Sequence, residues 1–241
     1  MTDNDTGYAP QVWEFDPEVT RVFDSMLARS IPQYDVMRRA VVEVTSTFVV
    51  PGTHIVDLGC SRGTGLATFI DRYGAANKYV GCDVSEPMLE AARQHLSGPI
   101  ADGYAQIYPC DLRDSYPDVS ASVTLSVLTL QFTPLELRQT ILKRMYEHTR
   151  PGGVVILVEK LIGSTAEIDR ELVRVYYDMK RHNGYSDDDI ERKRLALQGV
   201  LVPLKAEWNE QALKSAGFRQ VECFWRWMNF AGWIAVRDGG N

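Results

Sequence analysis

The chain predicts an α/β fold on a mostly parallel seven-stranded sheet, and three observations carry that prediction. Short apolar runs alternate with helical patterns from residue 54 to residue 160, the rhythm of strands joined by crossover helices. A glycine-rich turn, VDLGCSRGTG at 56–65, lies between the first of these strands and the helix that follows. Two late strand-like runs, 219–226 and 229–237, are joined too closely for a crossover, which takes about a dozen residues. They therefore form an antiparallel addition at one edge.

The elements follow in order. Residues 1–17 are an acidic, proline-containing arm. A helical pattern covers 19–28, breaks at Pro32, which has no N–H to continue it, and resumes to about 48. Pro51-Gly52 makes a turn into HIVDLG (54–59), the first strand. A helix at 64–72, a strand KYVGCD (78–83), a helix at 87–96, a strand AQIYPCD (105–111) and a strand ASVTLSVLTL (121–130) come next. Pro134 opens a helix that stops at Pro151-Gly152-Gly153, the usual asymmetry of proline first and glycine last, and VVILVEK (154–160) is the fifth strand. Beyond it the alternation ends: 166–202 reads as helical with one break at Asn183-Gly184, and a helix at 207–216 precedes the edge strands. The expected organisation is one domain, with an N-terminal arm and helices (1–50), a nucleotide-binding core (51–160), a helical lid (161–205) and a C-terminal helix with two strands (206–241). Lid and N-terminal helices would cover the carboxyl ends of the strands, where open α/β sheets bind ligands.

Composition sets bounds. Hydrophobic residues make up 45% and charged residues 24% of 241, which fits a globular protein able to bury a core. A net charge of −6 argues against a broad phosphate-binding surface, so no nucleic-acid partner is expected. Cys60, Cys82, Cys110 and Cys223 form no CxxC pair, so neither a metal site nor a disulfide framework is expected. MTDNDTGYAP has no apolar core and no long apolar run follows, so the expectation is a cytoplasmic protein without a membrane partner.

The glycine turn lets backbone N–H groups approach a ligand, but its spacing is D-x-G-x-x-x-G and no GKS or GKT follows. Asp83 ends the second strand 26 residues after Asp57, where a carboxylate can accept two hydrogen bonds from a ribose diol. Asp111 ends the third strand, where an adenine would lie, or simply pairs with Arg113. Asp57 reads equally as a loop-ordering acid and as a ligand contact. Cys60 reads as a small packing residue in the loop. These residues are similar to the sites of class I S-adenosylmethionine (SAM) methyltransferases, and a site flanked by carboxylates suits SAM's sulfonium better than a dinucleotide's pyrophosphate.

This constellation resembles the Rossmann-like fold of class I SAM methyltransferases, and further motifs narrow the resemblance. FDPEVTRVFDSMLARSIPQY (15–34), DLGCS (57–61), LTLQF (128–132), PGG (151–153), EK (159–160), KRHNGYS (180–186), KR (193–194), GF (217–218) and NF (229–230) are similar to the carboxy-SAM synthases, over about 15–236. That family uses prephenate to convert SAM to carboxy-SAM. The resemblance implies ligand contacts at Tyr34, Gly59, Cys60, Ser61, Asp83, Val84, Asp111, Leu112, Val127 and Arg194, with Arg194 gripping the carboxylate of the carboxymethyl group. A guanidinium fork fits such a carboxylate. The resemblance also implies a homodimer acting on a small-molecule substrate.

Three departures shape the expected reaction. Val127 stands where the family has asparagine, Tyr176-Tyr177-Asp178-Met179-Lys180-Arg181 replaces HHDFKR, and 224–230, FWRWMNF, replaces WFQCFNF. Two of these lose polar groups or add aromatics, and a lost amide contact can cost about 1–3 kcal/mol. The reading they favour is intramolecular: SAM's α-amine attacks its own Cγ, giving azetidine-2-carboxylate and 5'-methylthioadenosine. An α-amine pKa of about 7.7–8.0 needs no strong base, and positioning supplies up to roughly 7–11 kcal/mol. In this scheme Arg194 folds the methionyl carboxylate back, Tyr176 with Tyr34 clamps the sulfonium by cation–π attraction, and Asn229 or a backbone carbonyl accepts an amine proton. Carboxy-SAM synthesis from prephenate is the alternative, and methyl transfer to a small molecule a further one.

Overall fold

The computed structural model describes residues 13–239. Residues 1–12 of the expected arm lie outside them. Seven strands, β1 (His54–Leu58), β2 (Lys78–Asp83), β3 (Ala105–Pro109), β4 (Ala121–Val127), β5 (Thr149–Lys160), β6 (Gln220–Trp227) and β7 (Phe230–Val236), form one sheet in the order β3-β2-β1-β4-β5-β7-β6. The pairs from β3 to β5 are parallel, and β7 runs antiparallel to both β5 and β6. Nine α-helices accompany them among the described residues: α1 (Pro17–Ser30), α2 (Tyr34–Thr45), α3 (Thr64–Tyr73), α4 (Glu86–His95), α5 (Ser97–Ala101), α6 (Leu135–His148), α7 (Ala166–His182), α8 (Asp187–Ala196) and α9 (Ala206–Ala216).

The inner strands are buried along most of their length because helices cover both faces of the sheet. Period-two alternation sorts their side chains. Ile55, Tyr79, Val123, Leu125, Val154, Ile156 and Val158 pack on the face that carries α2 and α3. Val56, Leu58, Val80, Val155 and Leu157 pack on the face of α6 and α9. Each such aliphatic side chain, fully buried, contributes roughly 1.5–3 kcal/mol. Continued to the carboxyl ends, the same alternation places Asp57, Asp83, Val127 and Lys160 together on the first face, at four neighbouring strand tips. The candidate site follows from this placement.

Local signals explain the covering elements. Asp16 caps α1 by accepting the Val19 N–H at 2.8 Å, and Pro17 occupies the first turn, where no N–H is needed. Val19, Phe23 and Met26 then repeat at helical spacing and meet Trp13, Met88 and Ala196 in a small separate core above the sheet. Phe15 is its hub, edge-on to Trp13, Phe23 and Phe132. Ser186 and Asp189 form a reciprocal capping box that starts α8.

The structure moves several expected boundaries. β4 stops at Val127 rather than 130, because Leu128 takes φ 60° and the chain turns through a short 3₁₀ segment at Leu130–Phe132. β5 begins at Thr149, ahead of Pro151-Gly152-Gly153, and pairs there with Ala121 across an irregularity in register. Residues 197–202 are turns rather than helix; Gly199 has φ 77° and the Val202 N–H donates to the Gln131 carbonyl. The five-residue α5, which contains Gly98 and Pro99, carried no helical pattern in the sequence. No helix among the described residues is long and apolar enough to cross a membrane.

Candidate active site at the carboxyl edge of the sheet

A cavity of about 640 Å³ opens over the carboxyl ends of β1, β2, β4 and β5. This lies within the range of small-molecule sites. α1, the start of α2, Lys193 of α8 and the 197–202 turns roof it. Tyr34, Gly59, Cys60, Ser61, Asp83, Val84, Asp111, Leu112, Val127 and Tyr176 all contribute to its wall. Backbone strain gathers there too. Of the four non-glycine residues with positive φ among the described residues, Ser61 and Leu128 line the cavity and Gln33 precedes Tyr34.

The floor is the glycine turn. Gly59 has φ 73°, and a Cβ on it would sit 2.4 Å from the Thr129 side chain, so only glycine lets β1 and the β4 loop close together. The Gly59 and Cys60 N–H groups both donate to the Cys82 carbonyl, which fixes the turn against β2. Burial, and then the negative charges of Asp57 and Asp83, push the Cys60 thiol far above its ordinary range, so it is no nucleophile. A Cβ on Gly65 would fall 2.4 Å from Asp57 Oδ2 and 3.0 Å from Arg38 Nη2. Its absence leaves room for the Asp57 carboxylate and the Arg38 guanidinium under the first turn of α3.

Three acids line one end. Asp57 is buried, and desolvation raises its pKa to about 7, opposed by Arg38 and reinforced by Asp83. Asp83 accepts the Ser61 N–H through Oδ2 at 2.9 Å and the Ser85 N–H through Oδ1 at 3.0 Å. Burial nevertheless leaves its pKa raised. Each oxygen keeps a lone pair for a further donor. Asp111 pairs with the Arg113 guanidinium, which lowers its pKa; pairing within the third-strand turn is thus realised in the structure.

The other end is cationic and aromatic. Glu159 points to the α6 face, buried beside Arg138, and burial raises its pKa to about 8 despite that guanidinium. Arg138 donates to the carbonyls of Thr133 and Gln131 and so holds the loop after β4. Gln131 in turn accepts the Lys160 N–H through Oε1 at 2.8 Å. Lys160 emerges on the opposite face, in the cavity wall, with its ammonium 4.8 Å from the centre of the Tyr176 ring. Lys180 lies 5.8 Å from the same ring, and Tyr185 carries Lys180 at 4.5 Å and Lys193 at 5.6 Å.

A methyltransferase-domain family matches residues 55–153. The carboxy-S-adenosyl-L-methionine synthase of Methylococcus capsulatus is 37% identical over 224 residues, covering 92% of this chain and 93% of that one. The chain belongs to the carboxy-SAM synthase family. The synthase of Shewanella amazonensis is 34% identical, with 93% of each chain covered. Among solved structures, an O-methyltransferase family protein from Burkholderia thailandensis superposes with a TM-score of 0.65 at 16% identity. That match covers 94% of this chain and 62% of the other, and shows the shared methyltransferase fold.

Membership in the carboxy-SAM synthase family overturns the expected cyclisation to azetidine-2-carboxylate and methylthioadenosine, which rested on three departures from the family pattern. The structure supplies the physical reason. The Tyr176 ring already carries ammonium groups, so its presence does not require a sulfonium. Arg194, cast as the group that folds the methionyl carboxylate, lies outside the cavity and is exposed, with Nε and Nη2 on Glu191 at 2.8 and 2.7 Å. α8 buries Ile190, Lys193 and Ala196, and one residue further turns a side chain about 100° away. Asn229, cast as the amine's proton acceptor, is wholly buried in the β6–β7 turn and does not line the cavity; its carbonyl accepts the Leu161 N–H at 2.7 Å. Tyr177 turns away from the cavity toward Arg194.

Sequence reasoning missed Arg38, Gln131 and Lys160 as cavity residues. Alternation along VVILVEK was the available signal for Lys160, because it puts residue 160 on the face of Val154, Ile156 and Val158.

Proposed function

We propose that the chain is a carboxy-SAM synthase that binds SAM in this cavity and takes its carboxyl group from prephenate. The observation that carries this reading is the polarity of the sheet edge. In the order β2, β1, β4, β5 the tips present Asp83, Asp57, Val127 and Lys160. That is two acids, an apolar step and a cation across three strand spacings, roughly 14 Å. A cationic, diol-bearing adenosyl group fits the acid end. A carboxylate donor fits the other.

The residues present fit SAM. The spare lone pairs of Asp83 suit the ribose diol, and Leu112 with the exposed Val84 offers apolar surface to a flat base. Arg38, facing Asp57, is placed to hold the methionyl carboxylate. SAM supplies an S-methyl carbon that, after losing a proton, takes up carbon dioxide. Prephenate supplies that carbon dioxide and, in becoming phenylpyruvate, releases the hydroxide that leaves with the proton as water. Atoms and charge then balance with no other reactant. The chain's own part is to bring the two ligands together over Val127 and keep bulk water out. Phe15, Phe23, Phe132 and Leu197 provide the apolar roof for this.

Purified protein mixed with SAM and prephenate is expected to form carboxy-SAM and phenylpyruvate in equal amounts by mass spectrometry. SAM recovered intact in the presence of prephenate would refute the assignment.

A further inference from the structure

We propose that Lys160 is the carboxylate-binding residue for the carboxyl donor, and that it holds this anion against Tyr176 at the end of the cavity opposite the acids. The inference rests on the carboxy-SAM synthase reading and assigns a residue to its second substrate.

Four observations converge. Lys160 sits at the tip of β5 with its side chain in the cavity wall, and its position is fixed from behind by the Gln131 bond and by Glu159 on the other face. Its ammonium makes no ion pair within 4.0 Å and no hydrogen bond among the described residues; the group packed against it is the Tyr176 ring, at 4.8 Å. Asp169 of α7 is the opposing charge acting on it, and the Asp169 Oδ1 already accepts the Gly163 N–H at 2.7 Å. The surroundings add positive charge, since Lys180 shares Tyr176 and Lys193 lines the same cavity.

An ammonium held in low-dielectric surroundings without a counter-ion is costly. Desolvation accordingly pulls the Lys160 pKa down to about 8, with Asp169 opposing. A bound carboxylate would remove that cost and gain a charge-assisted hydrogen bond. The donor carboxylate fits this end rather than the other, where Asp57 and Asp83 repel an anion and the nearby guanidinium of Arg38 is already assigned to the methionyl carboxylate.

Lys160→Met keeps the aliphatic packing on Tyr176 and removes the charge; Lys160→Arg keeps the charge. Lys160→Met is expected to raise the prephenate KM about 10- to 100-fold while the SAM Kd changes less than about twofold. Lys160→Arg is expected to restore most of the loss. In the native protein prephenate binding is expected to weaken as pH rises past about 8, where the ammonium gives up its proton, and to stay flat to higher pH in Lys160→Arg. Calorimetry of prephenate binding to protein loaded with S-adenosylhomocysteine, which has no methyl group to react, gives a readout without turnover. An unchanged prephenate KM in a folded Lys160→Met protein, or an equal loss of SAM affinity, overturns the proposal and leaves the synthase reading standing. If the native protein makes no carboxy-SAM, that reading fails. Prephenate binding that is lost in Lys160→Met then still supports the lysine's role, and binding that is absent or equal in both proteins overturns it.

Discussion

The two ends of the cavity are built differently. The acid end is made by hydrogen bonds within and between adjacent turns: Asp83 accepts from Ser85 two residues on and from Ser61 in the turn after β1, and Asp111 pairs with Arg113 two residues on. The lysine end is made by long-range packing: Lys160 of β5 meets Tyr176 of α7 and is braced by Gln131 from the loop after β4. Groups held by their own turn persist when distant packing changes. Groups held by three separate elements depend on all of them. Substitutions at the acid end should therefore act on SAM affinity, and substitutions at the lysine end on the donor.

The largest expected effect tests the acid end. Asp83→Ala removes the acceptor for two ribose hydroxyls and two backbone N–H groups, and should cost roughly 3 kcal/mol of SAM affinity, about two decades in Kd. Calorimetry with SAM checks it, and a change below threefold would detach Asp83 from the ribose. Gly59→Ala comes next. Its Cβ would meet Thr129 at 2.4 Å with φ at 73°, so a loss of about 2–3 kcal/mol in urea-denaturation stability is expected.

Linkage to pH sharpens the contrast. Asp57 and Glu159 have folded pKa values raised to about 7 and about 8. The folded protein therefore binds more protons than the unfolded chain between about pH 4.5 and 8. Stability should be greatest near the bottom of that window and fall as pH rises through 7 and 8. Glu159→Gln should flatten the slope by up to about 1.4 kcal/mol per pH unit, measured by urea denaturation at several pH values. The smallest effect is expected at Arg194. Its pairing with Glu191 is exposed and screened by solvent, so Arg194→Ala should barely alter thermal stability. A large drop in carboxy-SAM formation by that variant would return the guanidinium to the role the family resemblance implied.

The same contrast explains what was legible in the sequence. Strand–helix alternation, the Gly59 turn and the acids at 83 and 111 are local patterns, and the structure places them at one edge of a seven-stranded sheet. The end of β4 was not legible, because VLTL has strand propensity and its turn is imposed by Arg138 and Gln131. The family resemblance points to Arg194, yet the buried spacing of Ile190, Lys193 and Ala196 turns its neighbour Lys193 inward instead. The aromatic run at 176–177 was assigned to a ligand cation, while the ammonium groups beside it come from 160 and 180, outside any local motif.

The central claim is that one cavity joins a cationic adenosyl ligand to an anionic carboxyl donor. Its most direct measurement is a single-turnover reaction of the native protein with SAM and prephenate carrying a labelled ring carboxylate. Label recovered in carboxy-SAM, with phenylpyruvate in equal amount, is the predicted result. Unlabelled SAM recovered intact beside intact prephenate would contradict it.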